Sequence, residues 1–134
     1  MLFEWKDEYS VNLITFDDHH RRLVKLINEL HTAMSEKRGQ TVVGNILKNL
    51  IEYTKYHFSE EERLMKKYNY KDYTEHKAEH DAFIKKINDM HERAAKNDSF
   101  VTIELRSFLK DWILKHILVS DKNYSKFFTD MGLT

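Results

Sequence analysis

The chain has 134 residues, 41% hydrophobic and 33% charged, with 22 basic side chains balanced by 22 acidic ones. That length suits one domain with a core of its own, spanning residues 1–134. The lack of cysteine excludes disulfides, thiolate ligands and thiol catalysis, and the mixed charges leave no basic patch for nucleic acid.

No apolar run approaches the roughly 20 residues of a membrane span. The opening segment MLFEWKDEYS lacks the basic-then-apolar layout of a signal peptide, so a soluble cytoplasmic protein is expected. The neutral, mixed surface is compatible with a monomer. Three glycines and no proline give the chain few places to turn, which favours a few long helices over a many-stranded sheet.

Taken in order, residues 1–15 read as an extended arm with Phe3, Trp5, Tyr9, Val11 and Ile14 as apolar anchors. The first helix is expected over 18–37, with Phe16, His20, Leu23, Val24, Ile27, His31 and Met34 on one stripe. Asp17 and Asp18 stand where free N–H groups need capping, and Gly39 where a left-handed C-terminal cap is usual. The second helix is expected over 41–67 through Val43, Ile46, Leu47, Leu50, Thr54, His57, Glu61 and Leu64. The third covers 72–96 through Tyr73, His76, His80, Phe83, Ile84, Ile87 and His91. The fourth covers 100–119 through Leu105, Leu109, Trp112, Ile113 and His116. A short tail helix over 122–130 packs Tyr124, Phe127 and Phe128 onto the rest. Each stripe has the three-to-four spacing of a helix with one buried face, and the short connections make neighbours antiparallel. The expected fold is therefore all-α, an up-down-up-down four-helix bundle.

These stripes break the apolar rule in a coordinated way. His57 and Glu61 are four apart on one helix, and His76 and His80 repeat the spacing on the next, so each pair stacks on one face. His20 lies near the start of the first helix and His116 near the end of the fourth. Up-down-up-down order brings those regions to one end of the bundle. Asp121 is five residues beyond His116 and faces elsewhere unless the helix loosens there. Buried imidazoles and carboxylates are costly unless satisfied, and a metal satisfies them. Nitrogen-rich ligation without thiolate suits iron better than calcium or magnesium. Two octahedral ions offer twelve positions; five histidines, two bridging carboxylates and a single-atom bridge leave one open, as small-molecule binding requires.

The segments F-D-D-H-H-R-R-L (16–23), H-F-S-E-E-E-R-L-M (57–65), H-K-A-E-H (76–80) and W-I-L-K-H-I-L-V-S-D (112–121) resemble those of the bacterial hemerythrins. The opening F-E-W-K-D-E-Y-S-V (3–11) is similar to the arm of that family. The resemblance implies two iron ions per chain with a bridging oxo or hydroxo group. One iron would be held by His76, His80 and His116, the other by His20 and His57, with Glu61 and Asp121 bridging. It implies that dioxygen binds at the two-histidine iron for carriage, storage or delivery, without an enzymatic role. Leu23, Phe58, Trp112, Ile113 and Ile117 flank the ligands and are expected to line a dry pocket. Four positions depart from the family pattern. His19 replaces a common glutamine, Phe16 a frequent isoleucine, Ser120 a common glycine and Lys71 a proline.

Three other histidines carry blander expectations. His19 is read as exposed or as a partner behind a ligand; His31 and His91 are read as polar groups of the core or its boundary. Glu60 and Glu62 are read as surface charge, and Tyr53, Tyr56, Tyr68, Tyr70 and Tyr73 as the rim of the core. Ferritin-type and oxygenase bundles use Glu-x-x-His pairs, and no such pair occurs here. A zinc hydrolase is disfavoured because His-Glu-x-x-His is absent and seven ligands exceed one tetrahedral site. Oxygen sensing, peroxide or nitric oxide scavenging, and iron storage at the same site remain the rival uses. A sensor would be expected beside a signalling domain, for which 134 residues leave no room.

Overall fold

The computed structural model describes residues 4–11 and 13–133, except for the side chains of Glu8, Thr15, Ile117 and Leu118. A single 3-10 turn, Asp7–Tyr9, precedes α1 (Ile14–Ser35), α2 (Gly39–Lys67), α3 (Tyr73–Ala95) and α4 (Val101–Trp112). The fourth helix then widens into a π-helical segment, Ile113–Asp121, which runs straight into α5 (Lys122–Asp130). No strand occurs among the described residues. α2 packs between α1 and α3, α4 lies against all three, and α5 continues the π segment and packs Tyr124 and Phe128 against Phe16 and Met65. The all-α four-helix bundle expected from the sequence is the fold.

The connections are short because the helices stop in a common way. Lys37, Asn69, Asn97 and Gly132 take positive φ values of 60°, 55°, 61° and 83°. At each stop the next amide reaches back five residues: Arg38 to Ala33, Tyr70 to Met65, Asp98 to Arg93 and Leu133 to Phe128. This is the Schellman termination, which satisfies carbonyls a helix end would otherwise leave free. Lys37, not Gly39, is therefore the left-handed residue after α1. Gly39 instead opens α2, where a Cβ would come within 2.8 Å of Thr102 Cγ2 and 2.9 Å of Met34 Cγ. Its role is close approach of α2 to α1 and α4. Gly44, one turn on, would meet nothing within 4 Å. Gly44→Ala is accordingly expected to stabilise the fold by about 0.5–1 kcal/mol. Gly39→Ala should destabilise it, and chemical denaturation of the two variants checks the opposite signs.

α1 begins four residues before the expected start, and the two aspartates do other work. Asp17 Oδ1 accepts from the Val11 amide at 2.7 Å and Oδ2 from the Ser10 hydroxyl at 2.5 Å, so it ties down the arm rather than capping a helix. Asp18 pairs with Arg21 at the surface. On the arm Tyr9 and Val11 are buried, as expected, and Trp5 packs partly against the core under the Arg21 guanidinium. Ile14 is 69% exposed, because it enters the helix on its outer face. Phe3 lies outside the described residues. On α3 the buried face runs through Phe83, Ile87 and Met90, and His91 is exposed rather than at the core boundary. His31 is half-buried, with its Nδ1 3.3 Å from Arg106 Nη1.

The interior divides into two apolar parts. The larger fills most of the bundle around Ile27, Leu30, Leu47, Leu50, Ile87 and Leu105. The smaller gathers Val11, Leu13 and Phe16 from the arm and α1 with Met65, Tyr70, Tyr124 and Phe128. The tail helix packs as expected, and its Ser125 hydroxyl donates to the Val11 carbonyl at 2.6 Å.

Candidate metal centre

The seven polar residues singled out by spacing come from four elements: His20 from α1, His57 and Glu61 from α2, His76 and His80 from α3, His116 and Asp121 from the π segment. All seven are buried, none more than 4% exposed. In an α-helix five residues turn through about 500°, which would leave His116 and Asp121 about 140° apart. Hydrogen bonding to the fifth residue widens the turn and removes that offset. Asp121 Oδ1 accordingly lies 2.9 Å from His116 Nε2.

Two groups result. One ligand atom each from His76, His80, His116 and Asp121 lies within 4.8 Å of the others, and the same holds for His20, His57, Glu61 and Asp121. Each carboxylate divides its oxygens between the groups. Asp121 Oδ2 is 3.0 Å from His20 Nε2, while Oδ1 is 3.0 Å from His76 Nε2. Glu61 Oε1 meets His57 Nε2, while Oε2 is 3.4 Å from His76 Nε2. Despite this crowding, Nε2 of His20, His76, His80 and His116 and all four carboxylate oxygens lack a hydrogen-bond partner. Each unsatisfied buried polar atom costs about 1–3 kcal/mol. Lone pairs turned toward one another in this way fit shared cations, and the donor set, five nitrogens and two carboxylates, fits two of them.

The other ring nitrogens are held from behind. His80 Nδ1 donates to Glu62 Oε2 at 2.9 Å, and His116 Nδ1 to Glu79 Oε2 at 2.5 Å. The Ser120 hydroxyl in turn donates to Glu79 Oε1 at 3.0 Å. His57 Nδ1 faces His19 Nδ1 at 2.7 Å. Four of the five rings also carry a stacked aromatic: Phe58 on His80 at 3.8 Å, Trp112 on His116 at 4.0 Å, Tyr124 on His76 at 5.4 Å and Tyr53 on His57 at 5.6 Å. The planes of these four rings are thus set by the protein itself, and carboxylates stand behind two of them, the arrangement that raises affinity in metal sites.

Among the protein groups alone, charge is distributed as a donor–acceptor cluster. Burial would push His76 down, but Asp121 and Glu61 prevail and raise it to about 10. Burial likewise opposes His116, which Asp121 and Glu79 raise to about 9. Burial and the charge of Asp121 would raise Glu61, but His57 and His76 hold it below the usual carboxylate range. Asp121, also opposed by burial, is held well below its usual value by His116, His20 and His76. Burial, then the neighbouring His57 and His20, lowers His19 to about 4.

A cavity of about 10 Å³ lies beside the two-histidine group, lined by Leu23, Tyr53, Thr54, Phe58, Trp112, the Asp121 carboxylate and the imidazoles of His20, His57 and His116. It has room for about one water-sized molecule. Leu23, Phe58 and Trp112 line it as expected. Ile113 is buried in the adjoining core, and the Ile117 side chain lies outside the described residues. The spacing did not point to Thr54 and Tyr53 as lining. The Thr54 hydroxyl is turned back onto the Leu50 carbonyl at 2.8 Å, and the Tyr53 hydroxyl donates to the His19 carbonyl. Glu62, read from the sequence as surface charge, is the partner of His80, and Glu79 was not singled out at all. Both sit one residue from a ligand candidate and work across helices, a relation spacing along one helix does not reveal. Glu60 is at the surface with Arg63, and Tyr56 is 60% exposed rather than at the core rim.

A four-helix bundle whose core carries paired His/carboxylate groups at one end defines a class of non-haem metal-binding proteins. The model of the Hemerythrin HHE cation binding domain matches residues 12–127, and the chain belongs to the hemerythrin family. Bacteriohemerythrin of Clostridium acetobutylicum is 33% identical over 127 residues, covering 92% of this chain and 98% of that protein. Bacteriohemerythrin of Stenotrophomonas maltophilia is 31% identical over 124 residues, covering 92% of this chain and 80% of the relative. The crystal structure of a wild-type hemerythrin superposes with a TM-score of 0.84 at 31% identity, covering 94% of this chain and 97% of that one.

Proposed function

We propose that the protein binds dioxygen reversibly at a non-haem di-iron centre, for oxygen carriage, storage or delivery. The observation that carries this reading is the division of Glu61 and Asp121 between two His groups of unequal size. His76, His80 and His116 would hold one ion, His20 and His57 the other, with Glu61 and Asp121 shared between them. Two iron ions held there, with an oxo or hydroxo group between them, would supply the electrons for reversible dioxygen binding.

The remaining side chains keep that exchange reversible. The two-histidine group has one imidazole fewer, and both of its histidines line the small cavity. Leu23, Phe58 and Trp112 present hydrocarbon there, and Thr54 has its hydroxyl engaged elsewhere. Asp121 also lines the cavity, but His116, His20 and His76 hold its carboxyl well below the usual range, and the Tyr53 hydroxyl is engaged by the His19 carbonyl, so neither stands ready to protonate a bound ligand and drive it off in reduced form.

The test is iron content per chain with visible absorption, measured anaerobically after reduction and again after oxygen is admitted. Two irons per chain, a colourless reduced form and a colour that bleaches when oxygen is removed are expected. Two irons that oxidise once and do not return would overturn the carrier reading in favour of an oxidase, peroxidase or iron-handling role.

A further inference from the structure

Three of the five imidazoles have a partner on the second ring nitrogen, and the partners differ in charge. Glu62 and Glu79 back His80 and His116, whereas the ring of His19 backs His57. His20 Nδ1 has no hydrogen-bond partner among the described residues. The three-histidine group is thus supported by two carboxylates and the two-histidine group by none.

Two Nδ1 atoms 2.7 Å apart leave room for a single proton between them. His57 turns Nε2 toward Glu61, where a metal ion needs the lone pair, so its proton belongs on Nδ1. His57 therefore donates, His19 accepts, and the proton of His19 sits on Nε2. The acceptor is held in place from several sides. The His19 carbonyl accepts from the Tyr53 hydroxyl. Its ring stands edge-on to Tyr56 at 5.4 Å and to Tyr53 at 6.1 Å, and lies 6.0 Å from Phe16. Tyr53 also stacks on His57, so one aromatic side chain orders both members of the pair.

Resting on the two-metal reading above, we infer that His19 is a positioning residue that holds His57 in its metal-directed tautomer and, as a neutral acceptor, makes the two-histidine position the weaker of the two. A carboxylate behind an imidazole raises its basicity as well as orienting it. A neutral ring supplies the orientation with less of the basicity. A glutamine in place of His19 would offer a neutral carbonyl acceptor and should serve equally well.

The test is a calorimetric titration of the metal-free full chain with Zn²⁺. Wild type is expected to show two steps of unequal affinity. His19→Ala should weaken the second step about 10- to 100-fold and leave the first unchanged. His19→Gln should recover most of the loss. Loss from both steps alike, or from neither, would overturn the assignment. ¹⁵N NMR of the zinc-loaded wild type gives an independent reading that needs no variant. The expected signature is a proton on His57 Nδ1 with nitrogen–nitrogen coupling across the hydrogen bond to His19, and a His57 lacking that proton overturns the inference. A wild type that takes up one ion would instead sink the two-metal reading, and this inference with it.

Discussion

Asp121→Asn is expected to reduce bound iron from two ions per chain to nearly none. Asp121 belongs to both groups, and its two oxygens face His20 on one side and His76 and His116 on the other. Asparagine keeps the shape of the side chain but offers only one acceptor oxygen and no charge, so neither ion keeps its share of the bridge. Iron analysis after anaerobic loading, with circular dichroism to confirm the helices, checks the result. A variant holding one ion at full occupancy would place Asp121 in a single metal sphere. Glu61→Ala should behave in the same direction, since Glu61 also spans the groups.

A second large effect is expected from pH, with opposite consequences for the metal-free and metal-loaded protein. His76 and His116 are raised to about 10 and about 9 against an ordinary value of 6.5. Folding therefore strengthens their hold on a proton. The stability this contributes is fully present below pH 6.5 and is lost as pH rises through 9 and 10. Metal-free protein should lose on the order of 6 kcal/mol of stability between pH 7 and 10.5, read from denaturant midpoints. Metal-loaded protein should not show that loss, because its imidazoles are already deprotonated. For the same reason metal uptake at pH 7 should expel about two protons per chain, measurable as a dependence of calorimetric heat on buffer. Uptake without proton release would mean that Asp121 and Glu61 do not retain those protons.

The sequence makes some layers of this architecture legible and hides others. Spacing along a single helix reveals His57 with Glu61 and His76 with His80, because the α-helical repeat alone puts those pairs on one face. It also brings His20 and His116 to the same end once the connections are seen to be short. Asp121 shows its limit: five residues do not match the α-helical repeat, and only the widened turn brings it to His116. Contacts between helices are harder still. Nothing in the order of residues says that Glu62 reaches His80, that Glu79 reaches His116, or that His19 meets His57. Terminal geometry was also hidden. A glycine at position 39 looks like a helix stop, yet lysine takes the left-handed conformation two residues earlier while the glycine permits a close crossing.

The π segment has a consequence for everything C-terminal to it. If residues 116–121 wound as an ordinary α-helix at their present length, every later side chain would rotate by roughly 100°. Tyr124 would leave His76, and Phe128 would turn away from Tyr68 and Tyr70. Ser125, whose hydroxyl reaches the Val11 carbonyl, would release the arm as well. The angular phase of the last helix and the anchoring of the first residues are therefore set by the same local loosening that aims one carboxylate.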